Sequence, residues 1–366
     1  MLRVCSPQLG LAPDANLGGA VYDRELLRAM VARGAIVDVL LPEGASVEED
    51  VGWYITRTPS HRRSYYEYNW IFLQALRRHW RDRPADILRV HSPYSVGPGA
   101  LAFARSVGVP VALHYLHREP RPLWRCVDAL TLGRYDLIVT ISEATCRDLV
   151  STGVPRERIA VAYPGVDGTY VPGASRSPRS YLCAAYVGGL IARKNLDVAL
   201  RAVARARAEG IDVRFVIAGD GERGAALSRL ASDLALGSAV EFRGRISHQA
   251  KLDLLRDADI FLFPSRLEGF GMAAVEALAC GTPVIGLRTT STSEIVRHGE
   301  TGLLLDDPDG VEAMAKAMAT LAASPVMRAD MGRRGALDVR QRFSWTHSAK
   351  TVMAAYRAVV EMRRAS

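Results

Sequence analysis

Two glutamates, Glu268 and Glu276, stand with seven residues between them, and two glycines, Gly269 and Gly271, fall in that gap. Ahead of them, Ile260-Phe-Leu-Phe-Pro264 reads as a buried strand. Behind them, Gly271 to Cys280 is rich in helix formers and stops at Gly281, with Pro283 just beyond. The predicted order is therefore strand, glycine turn, helix. A helix start has N–H groups without intrahelical partners, so it can hold an anion such as a diphosphate. Glu268 sits at the turn and Glu276 about two helical turns later. An ionised carboxylate only accepts hydrogen bonds, which suits the two O–H donors of a ribose diol. Glu268, at the turn, is placed to touch a group being transferred. On spacing alone, an ordinary strand–helix unit with solvent-facing glutamates is an equal reading.

Further groups capable of chemistry lie elsewhere. Gly188-Gly-Leu-Ile-Ala-Arg-Lys-Asn195 follows one predicted strand and precedes a helix. There Lys194 can set a point charge on a diphosphate and Arg193 can fork onto it; a solvated pair at a helix start is the plain alternative. Gly219-Asp-Gly-Glu-Arg-Gly224 matches G-x-G-x-x-G between a strand and a helix, with Glu241 about 20 positions on. It lies in the second half of the chain rather than on a first strand–helix–strand unit, which weighs against a dinucleotide cofactor. Tight-turn glycines and proximity to a nucleotide both remain open. Asn16-Leu-Gly-Gly-Ala20 permits close backbone approach. His91, His114 and His117 each lie at or near a predicted strand end. Asp306-Asp-Pro-Asp309 reads as a turn and helix cap, and no His, Cys or Asp cluster has metal-ligand spacing.

Bulk properties bound what must position these groups. A chain of 366 residues suits two domains, and 49% hydrophobic content supplies large cores. The net charge of +8 favours anionic partners such as nucleoside diphosphates or an anionic membrane surface. Nucleic acid is not expected, because no zinc-finger or RNP-like motif occurs. The N-terminus lacks a secretory hydrophobic region, and no apolar run reaches membrane-spanning length. Five scattered cysteines without a C-x-x-C pair point to a reducing compartment, hence the cytoplasm.

Strands and helices alternate throughout, which predicts parallel sheets covered by helices. The first set runs from Leu2-Arg-Val-Cys5 to Ile159–Tyr163. The stretch Asp167 to Ser180, rich in Gly, Ser and Pro, reads as a linker. The pattern restarts at Tyr181 and ends in a long helix from Phe343 to Arg363. The segment Arg57 to Arg83 sets Tyr65, Tyr68, Ile71, Phe72, Ala75 and Leu76 at helical spacing among many arginines. It reads either as a core-packed helix with a basic outer face or as a contact for an anionic acceptor or an inner-leaflet surface.

Pro264-Ser265, Glu268-Gly-Phe-Gly271, Glu276-Ala-Leu-Ala and Gly281-Thr-Pro-Val284 together resemble the E-x7-E region of the retaining, nucleotide-sugar-dependent glycosyltransferases of family 4. The likeness spans nearly the whole chain and is strongest from Tyr181 to Leu305. It implies an α/β fold of GT-B type: two Rossmann-like domains with parallel sheets and an intervening cleft. Residues 1–172 would bind the acceptor, 173–345 the nucleotide sugar, and a helix over 346–366 would return to the first domain. The implied reaction moves a hexosyl unit from a nucleoside diphosphate sugar to an acceptor hydroxyl with retention, without metal or cofactor. Carried over residue by residue, Lys194, Arg193, Glu268 and His117 become catalytic. Gly18, Gly19, Gly188, Gly221, Arg245, Gly269, Phe270, Gly271, Met272, Ala273 and Glu276 become donor-binding. Ser142, Glu143, Gly165-Val-Asp167 and Glu294 match further family segments; for Glu294, capping of a helix start by Ser291 or Ser293 is the alternative. One departure is plain: Gly189 stands where the family carries an arginine, and Arg193 beside Lys194 is the substitute. A sugar-nucleotide epimerase of the same architecture, or an inactive nucleotide-sugar-binding partner, are the rival readings.

Overall fold

The computed structural model describes residues 1–12, 18–48, 51–60, 67–116, 122–173, 179–289, 291–306 and 310–365. Met1–Gly165 and Ser344–Ser366 form one unit, and Val166–Phe343 the other.

In the first unit the order is β1 (Arg3–Pro7), α1 (Gly18–Val31), β2 (Ile36–Pro42), β3 (Tyr54–Thr58), α2 (Glu67–Asp82), β4 (Ile87–Val90), α3 (Gly97–Val107), β5 (Val111–Tyr115), α4 (Pro122–Thr131), β6 (Leu137–Thr140), α5 (Glu143–Ser151) and β7 (Ile159–Val161). The second unit follows with β8 (Leu182–Val187), α6 (Leu196–Ala208), β9 (Val213–Ala218), α7 (Gly224–Asp233), β10 (Val240–Gly244), α8 (His248–Asp257), β11 (Ile260–Phe263), α9 (Met272–Ala279), β12 (Val284–Leu287), α10 (Thr292–Ile295), β13 (Gly302–Leu305), α11 (Val311–Ala323) and α12 (Pro325–Arg342). The last helix, α13 (Trp345–Ala365), belongs to the first unit again.

Each unit is a parallel sheet covered by helices. The first sheet has the order β3-β2-β1-β4-β5-β6-β7 and the second β10-β9-β8-β11-β12-β13. Both follow the doubly wound rule, in which the chain steps outward one way and then returns to the first strand and steps the other way. That reversal sets a switch point between β1 and β4 in one sheet and between β8 and β11 in the other. The central strands are short apolar runs, as strands covered on both faces must be. All residues of Ile260-Phe-Leu-Phe263 and Val284-Ile-Gly-Leu287 are buried.

Several elements carry no signal in the sequence pattern. The edge strand β3 is mostly exposed and polar, so it carries no apolar signature. Helices α11 and α12 fill residues the periodicity left unassigned; α12 buries Gly332, Gly335 and Ala336, small residues with little pattern to read. Of the two readings for Arg57 to Arg83, α2 packs Phe72, Ala75 and Leu76 into the core, and Arg77, Arg78 and Arg81 face outward. Tyr65 lies outside the described residues. Among the described residues no helix is long and apolar enough to cross a membrane.

Candidate active site

The second unit's switch point collects the charged groups. Arg193 and Lys194 sit on the loop leaving β8, and Glu268 on the loop leaving β11, the strand beside it. Glu268 is only 8% exposed. Lys194 Nζ binds its Oε1, and Arg193 donates to its Oε2 at 3.1 Å and to the Leu267 carbonyl at 3.0 Å. The Arg266 N–H donates to the Arg193 carbonyl at 3.0 Å, so the two loops are tied by backbone as well as charge. Burial alone would push the Glu268 carboxyl up, but Lys194 and then Arg193 outweigh it and hold it below the usual glutamate value. Burial lowers the Lys194 ammonium from the usual lysine value, against the opposing pull of Glu268. Arg193 keeps 39% of its side chain exposed, so one cation of the cluster faces solvent.

The glycines explain how loops this close can exist. A Cβ on Gly219 would stand 1.9 Å from the Gly188 carbonyl oxygen, and one on Gly221 2.5 Å from that of Leu190. The Leu190 N–H donates to the Asp220 carbonyl, and the Arg223 N–H to that of Leu190, each at 2.9 Å. The G-x-G-x-x-G match therefore packs backbone against backbone, and its first two glycines are required for that contact. Gly271 precedes α9 with φ +119 and its helix start carries no side-chain cap. Ser291 Oγ donates to the Phe270 carbonyl at 2.6 Å and pins the turn from behind. It makes no side-chain cap bond to α10, so it does not play the capping part that is the alternative reading at Glu294.

Glu276, about one turn into α9, is also 8% exposed. Lys251, on α8, reaches its two oxygens at 3.0 and 3.2 Å. The Tyr170 ring lies 5.1 Å from that ammonium. Burial, then the Glu276 charge, raises the Tyr170 phenol. Neither Lys251 nor Tyr170 stood out in the sequence. Lys251 falls on an exposed-looking helix and Tyr170 in a linker-like run, and only the fold brings them to Glu276.

The profile for Glycosyl transferases group 1 matches residues 173–338, and that for Glycosyltransferase Family 4 matches 18–169. A D-inositol 3-phosphate glycosyltransferase of Pseudarthrobacter chlorophenolicus is 30% identical over 300 residues, 74% of this chain and 71% of that one. Its counterpart in Acidothermus cellulolyticus is 32% identical over 76% of this chain and 68% of that one. The chain belongs to glycosyltransferase family 4.

Solved structures agree on the fold of this glycosyltransferase. Sucrose-phosphate synthase from Thermosynechococcus elongatus matches with a TM-score of 0.82, over 99% of this chain and 100% of that one at 20% identity. Anabaena HepE, solved with UDP and glucose, matches with 0.78 over 98% and 100% at 16% identity. These are GT-B relatives with two Rossmann-like domains, as the two sheets here are.

The remaining expected residues of the glycosyltransferase fall in several places. Gly18 and Gly19 open α1. His117 lies outside the described residues, as does Asn16. Its competitor His114 is a core residue. Its Nδ1 and Nε2 meet the Tyr22 and Tyr356 hydroxyls at 2.9 and 2.5 Å, and burial holds it well below the usual histidine value. His91 Nδ1 meets the Pro7 carbonyl at 3.0 Å. Arg245 is largely exposed and pairs with Asp220 at 2.7 Å, on the far end of the zipped loops. Met272 and Ala273 form the first turn of α9, half-buried. Ser142 caps α5, accepting from the Thr145 N–H at 3.1 Å, and Asp167 accepts from the Thr169 N–H at 2.7 Å. Asp306 pairs with Arg288 at 2.5 Å, and 307–309 lie outside the described residues.

Proposed function

We propose that this glycosyltransferase moves a hexosyl unit from a nucleoside diphosphate sugar to an acceptor hydroxyl, with retention at the anomeric carbon. One observation carries the reading. Two cations leaving β8 meet the E-x7-E turn leaving β11, at the point where ligands bind in doubly wound sheets. In this reading the second unit binds the donor and the first the acceptor. Lys194, Arg193 and the uncapped start of α9 supply positive potential to the departing diphosphate, so no metal ion is required. Glu276 accepts from the ribose hydroxyls. Glu268, which holds both cations in the free protein, turns to the transferred sugar when the diphosphate takes its place.

Support for a nucleotide donor comes from HepE, solved with UDP and with UDP-glucose. The relatives' name, D-inositol 3-phosphate glycosyltransferase, supports a phosphorylated polyol as acceptor. The outward face of α2, with Trp70 64% exposed beside Arg77, Arg78 and Arg81, suits such an anionic partner or the anionic inner face of a membrane. The experiment is an NMR transfer assay with a panel of nucleotide sugars, with and without polyol phosphates. Acceptor-dependent product of retained anomeric configuration is expected. Conversion of donor alone into an epimer, or donor binding with no turnover on any acceptor, would replace this reading with one of its rivals.

A further inference from the structure

Lys251 stands one turn before the buried Leu254 and Leu255, on the inward face of α8, where a charged side chain is out of place, and it is only 15% exposed. It lies on the first turns of α8 and bridges both oxygens of Glu276 at 3.0 and 3.2 Å. Its ammonium lies over the Tyr170 ring, 5.1 Å from the centroid, and that ring packs edge-on against His248 at 5.5 Å. Arg256, further along α8, donates to the Thr169 and Val171 carbonyls at 2.8 and 3.0 Å. The helix and the Tyr170 segment are thus fastened on both sides of the lysine. A long flexible side chain is held in one geometry by a ring, a carboxylate and a braced helix.

A carboxylate buried this deeply without a partner would carry its full desolvation penalty and would be free to rotate. A lysine bridging both oxygens removes both problems. The Tyr170 phenol shares the same carboxylate, and of the roughly four lone-pair sites an ionised carboxylate offers, those not taken by the lysine and the phenol are open to a diol. Two acceptors fixed side by side complement the two O–H donors of a cis-diol. We propose that Lys251 is the positioning residue for ribose recognition: it compensates Glu276 and fixes its orientation so that both oxygens face the diol. The inference rests on the reading of Glu276 as the ribose carboxylate.

The test is calorimetric titration of the full chain with UDP and 2′,3′-dideoxy-UDP, and in parallel with GDP and its dideoxy analogue. Wild type should prefer the ribonucleotide by roughly tenfold or more, the worth of charge-assisted bonds. Lys251→Met should lose roughly that factor for the ribonucleotide and little for the dideoxy form. Lys251→Arg should restore most of it, with an unchanged thermal midpoint. If the methionine variant does not fold, Lys251→Gln takes its place. Equal weakening for both forms would make the lysine a structural brace and overturn the proposal. Tighter binding of the ribonucleotide by Lys251→Met would overturn it too, marking the lysine as a competitor. A wild type that prefers ribose alongside a Lys251→Met that prefers it equally removes only the role of Lys251. A wild type that does not discriminate, or binds none of the probes, removes the ribose reading with it.

Discussion

The two sheets have the same winding, yet their switch points are built in opposite ways. In the first unit, beside the reversal between β1 and β4, Arg89 is fully buried. It pairs with Asp23 of α1 and donates to Ser6 Oγ at 3.2 Å. Tyr22, His114 and Tyr356 close over it as a linked chain of hydroxyl, imidazole and hydroxyl. In the second unit, Arg193 and Lys194 meet Glu268 with the arginine partly in solvent. Both are cation–carboxylate clusters. One is sealed by three elements and faces only protein; the other keeps a charge turned outward. Exposure, rather than charge or burial alone, separates a brace from a site.

The largest effect should break the sealed cluster. Arg89→Met leaves Asp23 buried without its cation, which costs about 3–5 kcal/mol. Urea denaturation followed through the first unit should show that loss. A change under ~1 kcal/mol would remove the contrast, because the pair would then contribute no more than a surface one.

The open cluster should respond in rate instead. Lys194→Ala should lower turnover by about 10²–10³, the worth of one donor aimed at developing charge. The thermal midpoint should move little, since Arg193 still pairs with Glu268. Wild-type turnover would show that the lysine does not face the diphosphate. Glu276→Ala should weaken nucleotide binding by about 1.5–3 kcal/mol. Unchanged calorimetric affinity would detach Glu276 from the ribose.

Much of this was legible in the sequence, and what was not has a physical cause. The strand, glycine turn and helix around Glu268 announce themselves because an apolar run, two glycines and a helix-former run coincide within a short span. The alternation of elements gave the parallel sheets. The edge strand β3 and helix α12 were silent, the one because it is exposed and the other because glycine and alanine dilute its buried face, which holds only Met331 and Val339 as larger apolar residues. Partnerships were silent too. Lys251 is distant from Glu276 in sequence, Ser291 from Phe270, and Arg89 from Asp23. Arg89 even sits in the middle of an apolar strand, where the sequence shows a charge and no reason for it.

pH sharpens the same contrast at smaller scale. Glu268 is held below the usual glutamate value. Its contribution to stability is therefore complete above the unfolded value of about 4.3 and is lost as pH falls through the lower folded one. Lys194 is lowered from the usual lysine value. Its charge should therefore vanish on the alkaline side earlier than that of a free lysine, at about 10.4. Loss of that cation weakens diphosphate binding, so donor affinity should fall there. In Lys194→Arg the alkaline limb should move beyond reach, because guanidinium does not deprotonate in proteins. An identical limb in both proteins would assign it to another group.

The smallest expected effect concerns the position where the chain departs from its family. A Cβ at Gly189 would meet nothing nearer than the Asp220 carbonyl at 3.9 Å, and its backbone is not in the left-handed region. Gly189→Arg should therefore fold. If Arg193 already supplies the second cation, adding another should change turnover by less than about threefold, since the diphosphate is already met. Arg193→Ala alone should cost about tenfold or more, and the double variant should recover most of that loss. Recovery would mean that either backbone position can deliver the guanidinium to one place. A large gain from Gly189→Arg alone would mean instead that the site is short of a charge as it stands, and that Arg193 is committed to Glu268 and the Leu267 carbonyl.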